Sequence, residues 1–358
     1  MIIDKNALLN KSLKSIIDQN AINMNVADML MESFNYTDLT SPDEIKQYIK
    51  EGNSEEEGIL KVLYRFYGLD DSLNENQVIM KEYFLDNLRK LNPEDYINNP
   101  YVTAIKKEGK NGKYQLRYLQ YEPYQLFAYD EIKIKGYKEY SQIGFFDKKF
   151  SYLALTEGSN VWMSLNPNEI ETMKPYINKG KGNVLVLGLG MGYVPFMLAR
   201  KEEVKTITII EKDRNVISLF NSLIYPYFVH KEKIRIIEDD ALKYLQKTKK
   251  EPRFDYVFAD LWHNPEDGLP LFVSLKKIDK SIDCWLETSL FALLRRCMIT
   301  LLEEQLSDYQ DDAYRYAKTY TDKVINIYYQ KTKSLHIKCE DDLHKLLEDS
   351  NLLLLLNN

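Results

Sequence analysis

Apolar residues in the first quarter of the chain return at intervals of three and four, as in LLNKSLKSII and ILKVLYRFYGL, with breaks at Gly and Asn clusters. That period predicts a helical region over residues 1–98. Within it, Ser41-Pro42-Asp43-Glu44 has the residues of a capping box with Pro at the first helical position, so a helix is expected to start there. The acidic NSEEEG, residues 53 to 58, reads as a solvated loop or helix face. Between residues 99 and 165 the pattern shifts to short aromatic and β-branched stretches, KYQLRYLQY, QLFAYDEIKI and FSYLAL, which predict a small antiparallel β region. Asn166-Pro167-Asn168-Glu169 offers another helix start. The stretch VWMSLNPNEIETM around it reads as a lid or as a connecting strand and helix.

From residue 166 to 275 strand and helix patterns alternate. VLVLG, residues 184 to 188, is an unbroken apolar run, as expected of a parallel strand covered on both faces, and VPFMLARK behind it has helical spacing. Gly188, Gly190 and Gly192 lie between the two, where the chain turns and its backbone is open to close approach. TITIIE ends a second buried strand at Glu211, 23 positions after Gly188, and a carboxylate there has two acceptors for a pair of ribose hydroxyls. Asp213 fits the N-terminus of the helix that follows. KIRIIEDD is a third strand with Asp239 and Asp240 at its end, and FDYVFAD a fourth with Asp260 at its end. Acidic side chains at successive strand ends occupy the place where open α/β sheets bind ligands. The fold class expected is therefore α/β: a Rossmann-like, doubly wound, mainly parallel sheet. A helical C-terminal region, 276–358, follows, because CWLETSLFALLRRCMITLLEEQL has a strongly helical pattern.

Composition narrows the function classes. A net charge of −6 argues against a broad nucleic-acid surface. Cys284, Cys297 and Cys339 are too few and too scattered for a disulfide framework or a thiolate metal site, and no paired histidine spacing suggests a metal. No segment has the apolar length of a bilayer span. The closing NLLLLLNN, with five leucines, reads as a buried helix end or an oligomer contact. These features predict a cytoplasmic protein with a small-molecule substrate, no nucleic-acid or membrane partner and no metal. The broad apolar face of the helix beginning near Trp285 makes a homodimer a further expectation.

VLVLGLGMGY, IIEKD, EDDALKYL and VFADLW together resemble the class I S-adenosylmethionine-dependent methyltransferases, in the branch that includes spermidine synthase-like proteins. The resemblance implies S-adenosyl-L-methionine as cofactor, with Gly188, Gly190 and Gly192 near its methionine part. It places Glu211 on the ribose hydroxyls, Asp240 on the adenine amino group and Asp260 at the reacting end. A dinucleotide GxGxxG motif would place its last glycine one position after Gly192, where Tyr193 stands, which disfavours NAD. Spermidine synthases carry an Asp inside the glycine motif, where this chain has Met191. Their Asp-Ser-Ser-Asp-Pro is replaced by Asp260-Leu261-Trp262-His263-Asn264-Pro265. Methyl transfer to a small or amine-bearing substrate is therefore expected ahead of aminopropyl transfer, and a non-catalytic scaffold is a third reading. Asp260 and His263 are the candidate proton acceptors. Trp262 and Trp162 are the candidate substrate contacts, with packing as the alternative role of each.

Overall fold

The computed structural model describes residues 1–248, 254–306 and 317–357. The chain divides into two compact units.

The larger unit holds residues 26–133 and 140–260. Its parallel strands are Gly182–Leu187, Val204–Glu211, Ile234–Glu238 and Tyr256–Ala259. The first pairs with both the second and the fourth, and the third lies outside the second. Val184, Leu185, Val186 and Leu187 are all buried, as the continuous apolar run predicts for a strand covered on both faces. The helices Tyr193–Ala199, Arg214–Leu219 and Ala241–Thr248 follow the first three strands in turn. This is the expected α/β alternation.

The same unit contains a four-stranded sheet of Gly109–Asn111, Tyr114–Tyr121, Phe150–Glu157 and Asn160–Ser164, paired antiparallel in that order. In the last pairing Leu155 faces Met163 and Thr156 faces Val161, so Trp162 is the extra residue of a bulge. The 160–179 segment is thus a strand followed by the helix Pro167–Lys179.

A helix starts after Ser41 as expected, but the capping box forms elsewhere. Ser41 does precede the helix Pro42–Lys50, yet its side chain caps nothing. Glu44, the acid the box requires, is instead gripped by both guanidinium nitrogens of Arg65, one at 3.1 Å. The complete box forms in NSEEEG: the Glu57 amide donates to Ser54 Oγ at 3.1 Å and the Ser54 amide to Glu57 Oε2 at 2.7 Å. The acidic stretch is therefore the first turn of the helix Glu55–Phe66.

The smaller unit holds residues 1–25, 134–139 and 261–358. Its described helices include Pro265–Ile278, Glu287–Leu306, Tyr320–Thr332, Glu340–Leu346 and Asp349–Asn357. The terminal leucines belong to the last of these, where Leu352 and Leu353 are buried. No helix among the described residues is long and apolar enough to cross a membrane.

Candidate functional site

The strand register brings the acidic tips together. Past the end of the first strand, the Gly188 amide donates to the Ile210 carbonyl at 2.9 Å, one residue before Glu211. The Asp239 amide donates to the Glu211 carbonyl at 3.2 Å, and the Asp260 amide to the Leu187 carbonyl at 2.9 Å. Three tips that are distant in sequence therefore border one glycine turn.

Glu211 is tied to that turn directly. Its Oε2 accepts from the Leu189 amide at 3.1 Å and its Oε1 from the Asp213 amide at 2.8 Å. Each oxygen keeps a further lone pair for a ligand hydroxyl. Asp213 caps its helix as expected, accepting from the Asn215 amide at 2.8 Å, and it also takes the Tyr114 hydroxyl at 2.9 Å. Asp240 Oδ1 accepts from the Lys243 amide at 2.9 Å, so one of its oxygens serves the following helix. Asp239 is spent on Lys247, 2.9 Å away.

Gly190 and Gly192 both adopt positive φ, +51° and +74°. A Cβ on Gly190 would lie 2.4 Å from Met163 Cε and 2.6 Å from its sulfur, and one on Gly192 would lie 2.4 Å from the Phe220 ring. The turn is also held from behind. The buried Tyr101 hydroxyl donates to the Met191 carbonyl at 2.5 Å, and Asn99 donates to the Tyr193 hydroxyl at 3.0 Å.

A narrow cavity of about 20 Å³ opens along the turn, lined by Gly188, Gly190, Gly192, Met163, Glu169 and Asp260 together with apolar side chains. That space admits about one water, too little for an adenosyl ligand with Met163 in place. The chemistry fits such a ligand: a turn without side chains, a carboxylate fixed beside it, and a further carboxyl at the next strand tip. Met163 is a flexible thioether on an edge strand, so the obstacle is a movable one.

Burial raises the Asp260 carboxyl to about 7, helped by the negative charge of Glu211. Burial likewise pushes Glu169 well above the ordinary carboxylate range, with the charge of Asp260 adding to the effect. Glu169 and Met163 were not singled out from the sequence. Glu169 sits at the third position of a helix whose cap, Asn166, binds its amide at 3.1 Å, so its acid reads as part of a helix start. In Met163, the alternation of a strand was the available signal.

The remaining candidates have local roles. Trp162 is 37% exposed and its ring centroid lies 5.8 Å from that of Tyr114. Trp262 and His263 belong to the smaller unit. Trp262 is buried against Gly268, where a Cβ would come within 2.6 Å of the indole, and its Nε1 has no hydrogen-bond partner among the described residues. His263 Nδ1 lies 3.1 Å from Asp267 Oδ2, and Asp267 completes a capping box with Asn264 at the start of the helix Pro265–Ile278. All three cysteines are free thiols.

Residues 169–344 match the spermine/spermidine synthase domain family. No curated protein matches the chain. Among solved structures, spermidine synthase from Thermotoga maritima aligns with 14% identity over 41% of this chain and 54% of its own, at a TM-score of 0.29. A SAM-dependent methyltransferase from Agrobacterium tumefaciens aligns with 20% identity over 37% of this chain and 46% of its own, at 0.28. Human methyltransferase-like protein 13, in complex with SAH, aligns with 21% identity over 31% of this chain and 54% of its own, at 0.24. The chain thus spans about half the length of these structures.

Proposed function

We propose, on the footing that residues 169–344 form a spermidine synthase-like domain of the class I methyltransferase superfamily, that the chain is an S-adenosyl-L-methionine-dependent methyltransferase acting on a small amine-bearing substrate. The observation that carries this reading is the joining of Glu211 to the Leu189 amide inside the glycine turn, one strand away from the raised carboxyl of Asp260. When bound, the cofactor supplies a sulfonium-linked methyl group for in-line displacement.

The chain's own residues then have separable tasks. Gly188, Gly190 and Gly192 admit the ligand to the backbone, and the free lone pairs of Glu211 accept its ribose hydroxyls. The second oxygen of Asp240 is available on the adenine side. Asp260, with its carboxyl near neutrality, takes a proton from the incoming ammonium so that the nitrogen lone pair is free to attack. The apolar walls around it exclude water and align the two partners. His263 remains a second candidate proton acceptor, and Trp262 and Trp162 candidate substrate contacts.

The family match supports aminopropyl transfer as a second reading, and Met191, in place of a carboxylate in the glycine turn, counts against it. Mass spectrometry of the purified chain, followed by assays with SAM and with decarboxylated SAM, tests the assignment. Retained S-adenosylhomocysteine and methyl transfer to amines are expected. Turnover of decarboxylated SAM alone would replace this reading by the second.

A further inference from the structure

The Glu211 carboxylate is held at both oxygens, and the two holds differ in kind. Oε2 takes the Leu189 amide of the glycine turn at 3.1 Å, whereas Oε1 takes the Asp213 amide at 2.8 Å, two residues along its own chain. The second hold is only as firm as Asp213 itself. Asp213 Oδ1 accepts from the Asn215 amide at 2.8 Å, a cap within its own helix. Its Oδ2 accepts from the Tyr114 hydroxyl at 2.9 Å, and Tyr114 stands on the antiparallel strand Tyr114–Tyr121. That bond ties the tip of a parallel strand to a different sheet.

The strand is seated on the segment that follows Glu211. Asn111, paired with Tyr114 across the hairpin, donates through Nδ2 to Ser218 Oγ at 3.0 Å and to Ser222 Oγ at 3.2 Å. Leu223 comes within 2.9 Å of where a Cβ on Gly109 would stand. These contacts hold the middle and end of the segment; Tyr114 reaches its start, beside Glu211. Burial raises the Tyr114 hydroxyl above its ordinary range and Asp213 adds to the rise, so it stays a donor. Burial also acts to raise Asp213, but the Asn215 amide and the Tyr114 hydroxyl outweigh it and keep the carboxyl below its ordinary range. The bond is therefore charge-assisted at neutral pH.

A carboxylate that meets two ribose hydroxyls has to present both oxygens at a set angle, because hydrogen bonds weaken steeply when misaligned. Were the Asp213 amide to shift, Oε1 would be free to turn about the Leu189 contact. We propose that Tyr114 is a positioning residue for Glu211: by holding Asp213 it sets the angle at which the carboxylate meets the ribose hydroxyls of the ligand. The proposal rests on the reading of Glu211 as the ribose acceptor.

Calorimetry on the full chain would compare adenosine with 2′,3′-dideoxyadenosine, which lacks both hydroxyls, in the wild type, Tyr114→Phe, Glu211→Gln and the double variant. Tyr114→Phe is expected to weaken adenosine at least about fivefold and to leave the dideoxynucleoside within about twofold. In the Glu211→Gln background the same change costs adenosine less than about twofold, since the carboxylate it positions is gone. Asn111→Ala, which loosens the hairpin's seat and spares Tyr114 and Asp213, is expected to leave adenosine within about twofold. Asp213→Asn keeps a capping residue but gives up one acceptor oxygen, and it serves with the same expectation if Tyr114→Phe folds poorly. Equal weakening of the two nucleosides, additive losses in the double variant, or the same loss in Asn111→Ala reduces Tyr114 to packing and overturns the proposal. Hydrogen exchange reads the positioning without a ligand: the Leu189 and Asp213 amides are expected to exchange faster in Tyr114→Phe while the rest of the parallel sheet is unchanged. If the folded wild type binds neither nucleoside, or both equally, the ribose reading falls and the exchange rates decide. Faster exchange at Leu189 then upholds Tyr114 as the holder of Glu211, and unchanged rates overturn it.

Discussion

Met163 rests on Gly190, its terminal methyl where a side chain on that glycine would begin, 2.4 Å from the ideal Cβ position. One residue thereby covers the turn proposed to receive the ligand. Met163→Ala is expected to enlarge the cavity and raise affinity for S-adenosylhomocysteine severalfold, because no side chain has to be displaced. The cost in stability is about 1–2 kcal/mol, below that of a fully buried methionine. Calorimetry and thermal melts check both; weaker binding in the variant contradicts the plug role.

The hydroxyl of Tyr101 has one task in the fold, to satisfy the Met191 carbonyl. Tyr101→Phe leaves that buried acceptor unpaired, and an unfolding free-energy loss of about 1–3 kcal/mol is expected. Since the bond fixes the glycine turn from behind, ligand affinity is expected to fall as well. Denaturant titration with unchanged slope, alongside ligand titration, measures the two effects; a fall in stability alone limits Tyr101 to packing.

Asp260 gives the fold a pH dependence of known sign. Its carboxyl moves from the ordinary 3.8 to about 7 through burial and the charge of Glu211, with Glu169 beside it also raised. Between those values the folded chain keeps a proton that the unfolded chain has released. Stability therefore declines as pH rises from about 4 to about 7 and levels off above. Asp260→Asn is expected to remove its share, about 1–2 kcal/mol after allowance for solvent in the cavity. Melts across this range test it, and an unchanged slope in the variant contradicts the raised carboxyl.

Much of the sheet was legible because buried parallel strands leave a signal that needs no tertiary context. The apolar run Val184–Leu187 and the acids Glu211 and Asp260 at strand ends fall where the pattern places them. Capping was less legible, since Ser41 and Ser54 carry similar motifs and only contact with Arg65 decides that Glu44 is unavailable. The same limit hid Glu169. A helix-start acid that turns away from its cap is indistinguishable in sequence from one that serves it. At Trp162 and Met163 the bulge alters which side chain faces inward, and that register depends on pairing with Leu155 and Thr156.

The central claim is that Glu211 and the glycine turn hold an adenosine-bearing ligand. Calorimetric titration of S-adenosylhomocysteine into the wild-type chain and Glu211→Gln tests it most directly, with melting curves to establish that both are folded. The account predicts one site per chain, weakened at least about tenfold by the substitution. Absence of binding to the folded wild type, or equal affinity in the two proteins, would contradict it.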